Sequence, residues 1–191
     1  MTLLILGLLL FLGAHSISIV NDPWRNRMQA RLGEIGWKGA YSLISIAGFV
    51  LIVHGYTAAR LDPVVLYTPP TALRHVAMLL LVPVFPLLLS TYLPGRIKAA
   101  VKHPMLVATK LWAFAHLLAN GNLADVVLFG GFLAWAVADR ISLKRRNPRP
   151  LHTAPAGKVN DVIAVVGGLA LYVGFVMWLH VWLIGVSPIG R

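Results

Sequence analysis

Cysteine is absent from the 191 residues, which excludes disulfides, thiolate metal ligands and a cysteine nucleophile. Carboxylates are scarce: Asp22, Glu34, Asp62, Asp125, Asp139 and Asp161 are the whole set, and nearly all fall at the ends of apolar runs or between them. Zinc and di-iron centres draw carboxylates or further hard ligands beside their histidines. With no Glu-x-x-His pattern in the chain, a bare metal ion is disfavoured. Charged residues of both signs make up only 12%, against about 25% in a soluble domain. Hydrophobic residues reach 58% and mean hydropathy is +0.77, so lipid is the main solvent. The apolar runs are long and do not alternate, which excludes a membrane β-barrel.

These runs predict an all-α fold, a polytopic transmembrane helical bundle of about six spans. They lie near residues 2–20, 39–58, 74–93, 104–120, 123–141 and 161–186, in a single integral-membrane domain over residues 1–191. Each reaches or approaches the roughly 20 residues that cross a bilayer. Spans four and five are separated only by Asn120-Gly121-Asn122, residue types that tolerate a helix-ending backbone, and are predicted to form a tight helical hairpin. Pro83 and Pro86 should kink the third span. Residues 1–18 resemble a signal peptide, but no positive charge precedes the apolar run, so they are taken as the first anchor.

Of the 17 Lys and Arg, all but Arg60, Arg74, Lys110 and Arg191 fall in the segments 21–38, 94–103 and 140–160. The positive-inside rule then puts the N-terminus outside and these basic loops in the cytoplasm of a multi-pass inner-membrane protein. One of them, 142–159, is a basic, proline-rich loop without a fold of its own. The net charge of +11 is therefore topogenic, with contact to anionic lipid secondary, and nucleic acid is not a partner.

What the chain does have is histidine. His152 lies in the polar loop and His180 in an aromatic-rich span end between Trp178 and Trp182, where solvation and the interface account for them. His103 opens the fourth helix before Pro104, a position where proline costs nothing. His15, His54, His75 and His116 are harder to explain as structural. His54 and His75 flank the outer loop, and His116 lies about 18 Å past Pro104 along its helix, with Trp112 one turn earlier on the same face. An ionisable residue inside a span is a functional candidate by default. Haem b needs only one or two imidazoles in an apolar, aromatic pocket, which makes it the favoured cofactor.

Several stretches carry a family resemblance. They are Leu12-Gly13-Ala14-His15-Ser16, the segment Trp37–Ser45, the run from His103-Pro104 through Leu111-Trp112 and His116-Leu117-Leu118-Ala119-Asn120-Gly121, and Phe129-Gly130-Gly131 with Ala134-Trp135. Together they resemble the NnrU family, associated with nitrite and nitric oxide reductase genes in denitrifying bacteria. That family is similar to 15-cis-zeta-carotene isomerase, which carries haem b between two histidines. Carried across, the resemblance implies His15 and His116 as iron ligands, with His54, His75, His103 and Trp112 as further residues of the pocket or alternative ligands. Loop charge places His116 toward the outer half and His15 toward the inner half, so the pair requires a tilted haem; otherwise His54 or His75 is the better partner of His116.

The resulting expectation is a haem b membrane protein supporting denitrification, through expression or maturation of the reductases or handling of nitric oxide. The alternative is a haem-dependent cis–trans isomerase of a lipid-soluble polyene. An isoprenylcysteine-type methyltransferase and a purely structural subunit rank lower, the former because no acidic and tyrosine set for a methyl donor is evident in 139–160.

Overall fold

The structure, a computed structural model, describes residues 1–146 and 149–189; Arg191, set apart above from the basic segments, and Pro148 of the basic loop lie outside them. The regular structure among the described residues is helical, apart from one isolated bridge between Val65 and Asn122. The helices are α1 (Thr2–Val20), α2 (Asp22–Ala59), α3 (Thr71–Leu81), α4 (Val84–Tyr92), α5 (Arg96–Val101), α6 (Pro104–Ala119), α7 (Leu123–Ser142), α8 (Asn160–Gly174) and α9 (His180–Ile184), with a π-helical turn at Phe175–Leu179. Four stretches are long and apolar enough to cross a membrane: Thr2–Val20, Asp22–Ala59, Thr71–Tyr92 and Asn160–Ile184. Of the six expected segments, the fourth is the 16-residue α6, about 24 Å long. The fifth is the 20-residue α7, which carries Asp125, Asp139 and Arg140.

The chain folds as two compact units, Met1–Thr68 with Asn120–Asn147, and Pro69–Ala119 with Pro148–Arg191. The expected Asn120–Asn122 turn joins α6 to α7, yet each helix finds its packing partners in its own unit. Two interactions open α7: Asn122 and Asp125 form a reciprocal capping box, which satisfies otherwise orphaned N–H groups.

In the first unit α1 packs along α2 and α7. Leu4 lies against Gly55 and Phe11 against Gly48, and His15 lies near Tyr41, so α1 and α2 are antiparallel. The approach is backbone to backbone: a Cβ at Gly7, Gly48 or Gly55 would run into the partner helix. Small residues permit such contact where lipid removes the ordinary hydrophobic drive. Leu8 and Leu12 reach Gly131 and Phe11 reaches Phe132, so α7 runs parallel to α1. The C-terminal ends of α1 and α7 and the N-terminal part of α2 therefore share one end, the basic one.

Residues 21–38, expected as a loop, are helical instead. Asn21 caps the helix by accepting from the Trp24 N–H at 2.9 Å, and side-chain pairs one turn apart support it, including Arg25 with Gln29 and Lys38 with Glu34 at 2.6 Å. The helix breaks at Gly33, whose φ of 73° and ψ of 168° suit a residue without Cβ.

In the second unit α6 packs on α3 and α4, and α8 packs on α4. Val84, Leu87 and Ala108 form the buried centre, with Leu111 and Trp112 against it. The expected kink is present: α3 ends at Leu81 and α4 begins at Val84, because Pro83 has no N–H to continue the ladder. Pro86 falls in the first turn of α4, where the missing donor is not needed. Gly168 of α8 meets the Pro86 backbone, whereas Gly130 and Gly174 face open space.

The 142–159 loop contains no helix beyond the end of α7 among the described residues, but its later part is tied down. Ala154 N–H donates to the Tyr92 carbonyl at 2.9 Å, and Asn160 Nδ2 donates to the carbonyls of Pro94 at 2.8 Å and Pro155 at 2.9 Å. The Asp161 carboxylate accepts from the N–H groups of Arg96 at 2.7 Å and Ile97 at 3.0 Å, capping α5.

Candidate functional site

Three helices of the first unit each contribute two residues one turn apart: Phe11 and His15 on α1, Tyr41 and Ser45 on α2, Phe132 and Trp135 on α7. Spacings of three or four residues put each pair on one helix face. The His15 ring stacks on Phe11 with centroids 4.2 Å apart. It lies 5.2 Å from Tyr41 and 6.0 Å from Trp135, which stands edge-on at 87°. Phe132 backs Phe11 at 5.7 Å and Phe49 does so at 6.4 Å. The imidazole is thus held in an aromatic cage.

His15 Nδ1 is 2.7 Å from the Phe11 carbonyl. A carbonyl only accepts, so Nδ1 carries the proton, and in the neutral ring Nε2 holds the lone pair. A histidine anchored in this way is oriented as metal-ligating histidines are, with the second nitrogen fixing tautomer and ring plane. Two side-chain polar atoms are buried here: Trp135 Nε1, which lacks a hydrogen-bond partner among the described residues, and Ser45 Oγ, whose hydroxyl interacts with Tyr41. Both belong to residues of this cage. An orphaned buried donor calls for an explanation such as a bound group or water.

His116, in the second unit, repeats the first part of this pattern. Its Nδ1 is 2.7 Å from the Trp112 carbonyl, and the two rings lie 5.4 Å apart. Trp112 itself packs against the Val84–Leu87–Ala108 centre, and Phe114, on the same helix, is exposed.

Three of the remaining histidines are exposed. His54 is exposed on α2, about 20 Å along that helix from Tyr41. His75 is exposed near the start of α3 and His152 is exposed in the basic loop. The His103 carbonyl accepts from Leu106 N–H at 3.1 Å and Val107 N–H at 3.2 Å, so its backbone opens α6. His180 Nδ1 donates to the Val186 carbonyl at 2.7 Å, closing the chain end around Gly185. Among the described residues, no three His, Asp or Glu side chains gather in a metal-binding group.

The acidic residue that stands out is Asp125, at 2% exposure. It accepts from the Tyr56 hydroxyl at 2.6 Å and from Asn122 N–H at 3.1 Å, while the Arg60 guanidinium lies over the Tyr56 ring. This explains its burial, since a buried carboxylate needs such partners. Sequence reasoning does not single out Phe11, Ser45 or the Tyr56–Asp125 bond. The local signal for the cage is the one-turn spacing of Phe11 from His15, of Tyr41 from Ser45 and of Phe132 from Trp135.

The donor chemistry of the cage fits a haem: an anchored imidazole, aromatic walls, an indole N–H without an acceptor, and apolar helices around them. Neither the curated proteins nor the solved structures yield a match to this chain. A family model described as NnrU protein matches residues 3–188; spanning nearly the whole chain, it establishes that this protein belongs to the NnrU family.

Proposed function

We propose that this chain is an inner-membrane haem b protein serving nitrite and nitric oxide reduction, in which His15 would hold the iron; the family resemblance implies His116 as a further ligand. The observation that carries the reading is His15 itself: an imidazole anchored through Nδ1, caged by Phe11, Tyr41 and Trp135, beside the buried Trp135 Nε1 that lacks an acceptor. Haem iron, when bound, would supply a position for a small ligand, tuned by the residues that hold the iron and by the pocket around it.

The chain's own residues do the rest. The Phe11 carbonyl holds the His15 proton on Nδ1, and the stacked Phe11 ring fixes the imidazole plane. Trp135 Nε1 offers a hydrogen bond inside a cage that the apolar helices keep dry, where such bonds are strong. The clustering of basic residues at one end of the first unit supports the orientation in which that end is cytoplasmic.

Expression under haem-replete conditions, purification in detergent and addition of nitric oxide to the reduced protein test the proposal. A haem b spectrum that shifts with nitric oxide supports it. A haem spectrum indifferent to nitric oxide removes the gas-handling role, and protein free of haem removes the whole reading.

A further inference from the structure

The haem reading leaves residues 22–38 unused, and their arrangement suits a different partner. The chain leaves α1 at Val20, where the apolar span ends, and re-enters the α1–α2 contact near Tyr41. Between these points it forms a helical arm over residues 22–32 and folds back at Gly33. Trp24 meets Trp37 at 6.4 Å across the fold, and the Arg25 guanidinium lies over Trp37 at 5.3 Å. These contacts pin the arm at the end of the span.

One face of the arm carries Trp24, Arg27, Met28 and Arg31, at the i, i+3, i+4, i+7 spacing of a helical stripe. Trp24, Arg27 and Arg31 are exposed, and neither arginine has a carboxylate partner among the described residues. The nearby acid Glu34 is taken by Lys38 at 2.6 Å. The parallel course of α1 and α7 brings Arg140, Lys144 and Arg145 to the same end. A stripe that alternates arginine with Trp and Met matches the headgroup–acyl boundary of an anionic leaflet, where guanidinium meets phosphate and indole seats beneath it.

We propose that residues 22–32 are an interfacial arm that binds anionic phospholipid headgroups, with Arg27 and Arg31 on the phosphates and Trp24 as the apolar anchor. The arm holds the ends of α1 and α2, and hence the His15 cage one to two turns away, at a fixed depth.

The test titrates phosphatidylglycerol or phosphatidylcholine into the full chain in neutral detergent and follows apparent melting temperature and retained lipid by native mass spectrometry. Phosphatidylglycerol should stabilise the wild type more than phosphatidylcholine. Arg27→Gln with Arg31→Gln should raise the half-saturating phosphatidylglycerol concentration roughly tenfold, while Lys144→Gln with Arg145→Gln, the same change in charge, should raise it much less. Arg27→Lys with Arg31→Lys should retain most of the effect. Equal action of the two lipids, or equal weakening by both glutamine pairs, overturns the proposal.

Discussion

The Tyr172 hydroxyl donates to the Met78 carbonyl at 2.9 Å, and Pro83 is the reason that carbonyl is available. In an uninterrupted helix Met78 would accept from Val82, and Leu79 from residue 83. Pro83 has no N–H, so the Val82 N–H turns to Leu79 at 3.3 Å and the Met78 carbonyl is left without its helical donor. In a bilayer such a group must be satisfied within the protein. Tyr172→Phe should therefore lower stability by about 1 kcal/mol, the scale of interhelical hydrogen bonds in membranes. Thermal unfolding in detergent measures it. In a Pro83→Ala background, where the ladder can re-form, the same substitution should cost much less; equal costs in the two backgrounds would show that the bond is independent of the kink.

Backbone approach at glycine divides the helix pairs into tolerant and intolerant sites. Gly55→Leu and Gly168→Leu place side chains into the backbones of Leu4 and Pro86 and should each destabilise by about 3 kcal/mol or fail to fold. Gly130→Ala, in open space within α7, should be neutral or stabilising by about 0.5 kcal/mol. Fluorescence-detected size exclusion after graded heating distinguishes these outcomes.

Lys102 is the only residue other than glycine with positive φ among the described residues, at 64° with ψ −47°. The His103 N–H donates back to the Val101 carbonyl at 2.8 Å, so Lys102 is the centre of a tight γ-turn of the strained hand. Lys102→Gly should raise stability by roughly 1 kcal/mol. Lys102→Ala removes the same charge but keeps the strain, and should not. Melting curves of the two variants compare the backbone effect with the charge effect.

The parts of the fold legible in the sequence are those written locally. Apolar run lengths gave the ends of α1, α6 and α7 to within a residue or two, and Pro83 marked the α3–α4 break. The Gly33 fold-back was hidden because residues 21–38 are polar enough to pass for a loop, while their one-turn side-chain pairs favour helix. Gly7, Gly48 and Gly55 carry no local signal for close approach; only the partner backbone gives them meaning. The same holds for the candidate site. His15 and His116 could be singled out as ionisable groups inside apolar runs, but the cage of Phe11, Tyr41 and Trp135 arises from three helices distant in sequence.

The central claim rests on His15. Absorption spectra of the wild type, His15→Ala, His116→Ala and His54→Ala, each purified after haem-replete expression, test it most directly. The wild type and His54→Ala should show the same Soret band, while His15→Ala and His116→Ala lose it or shift it toward a single-histidine form. An unchanged Soret band in His15→Ala, or its absence from the wild type, would contradict the account.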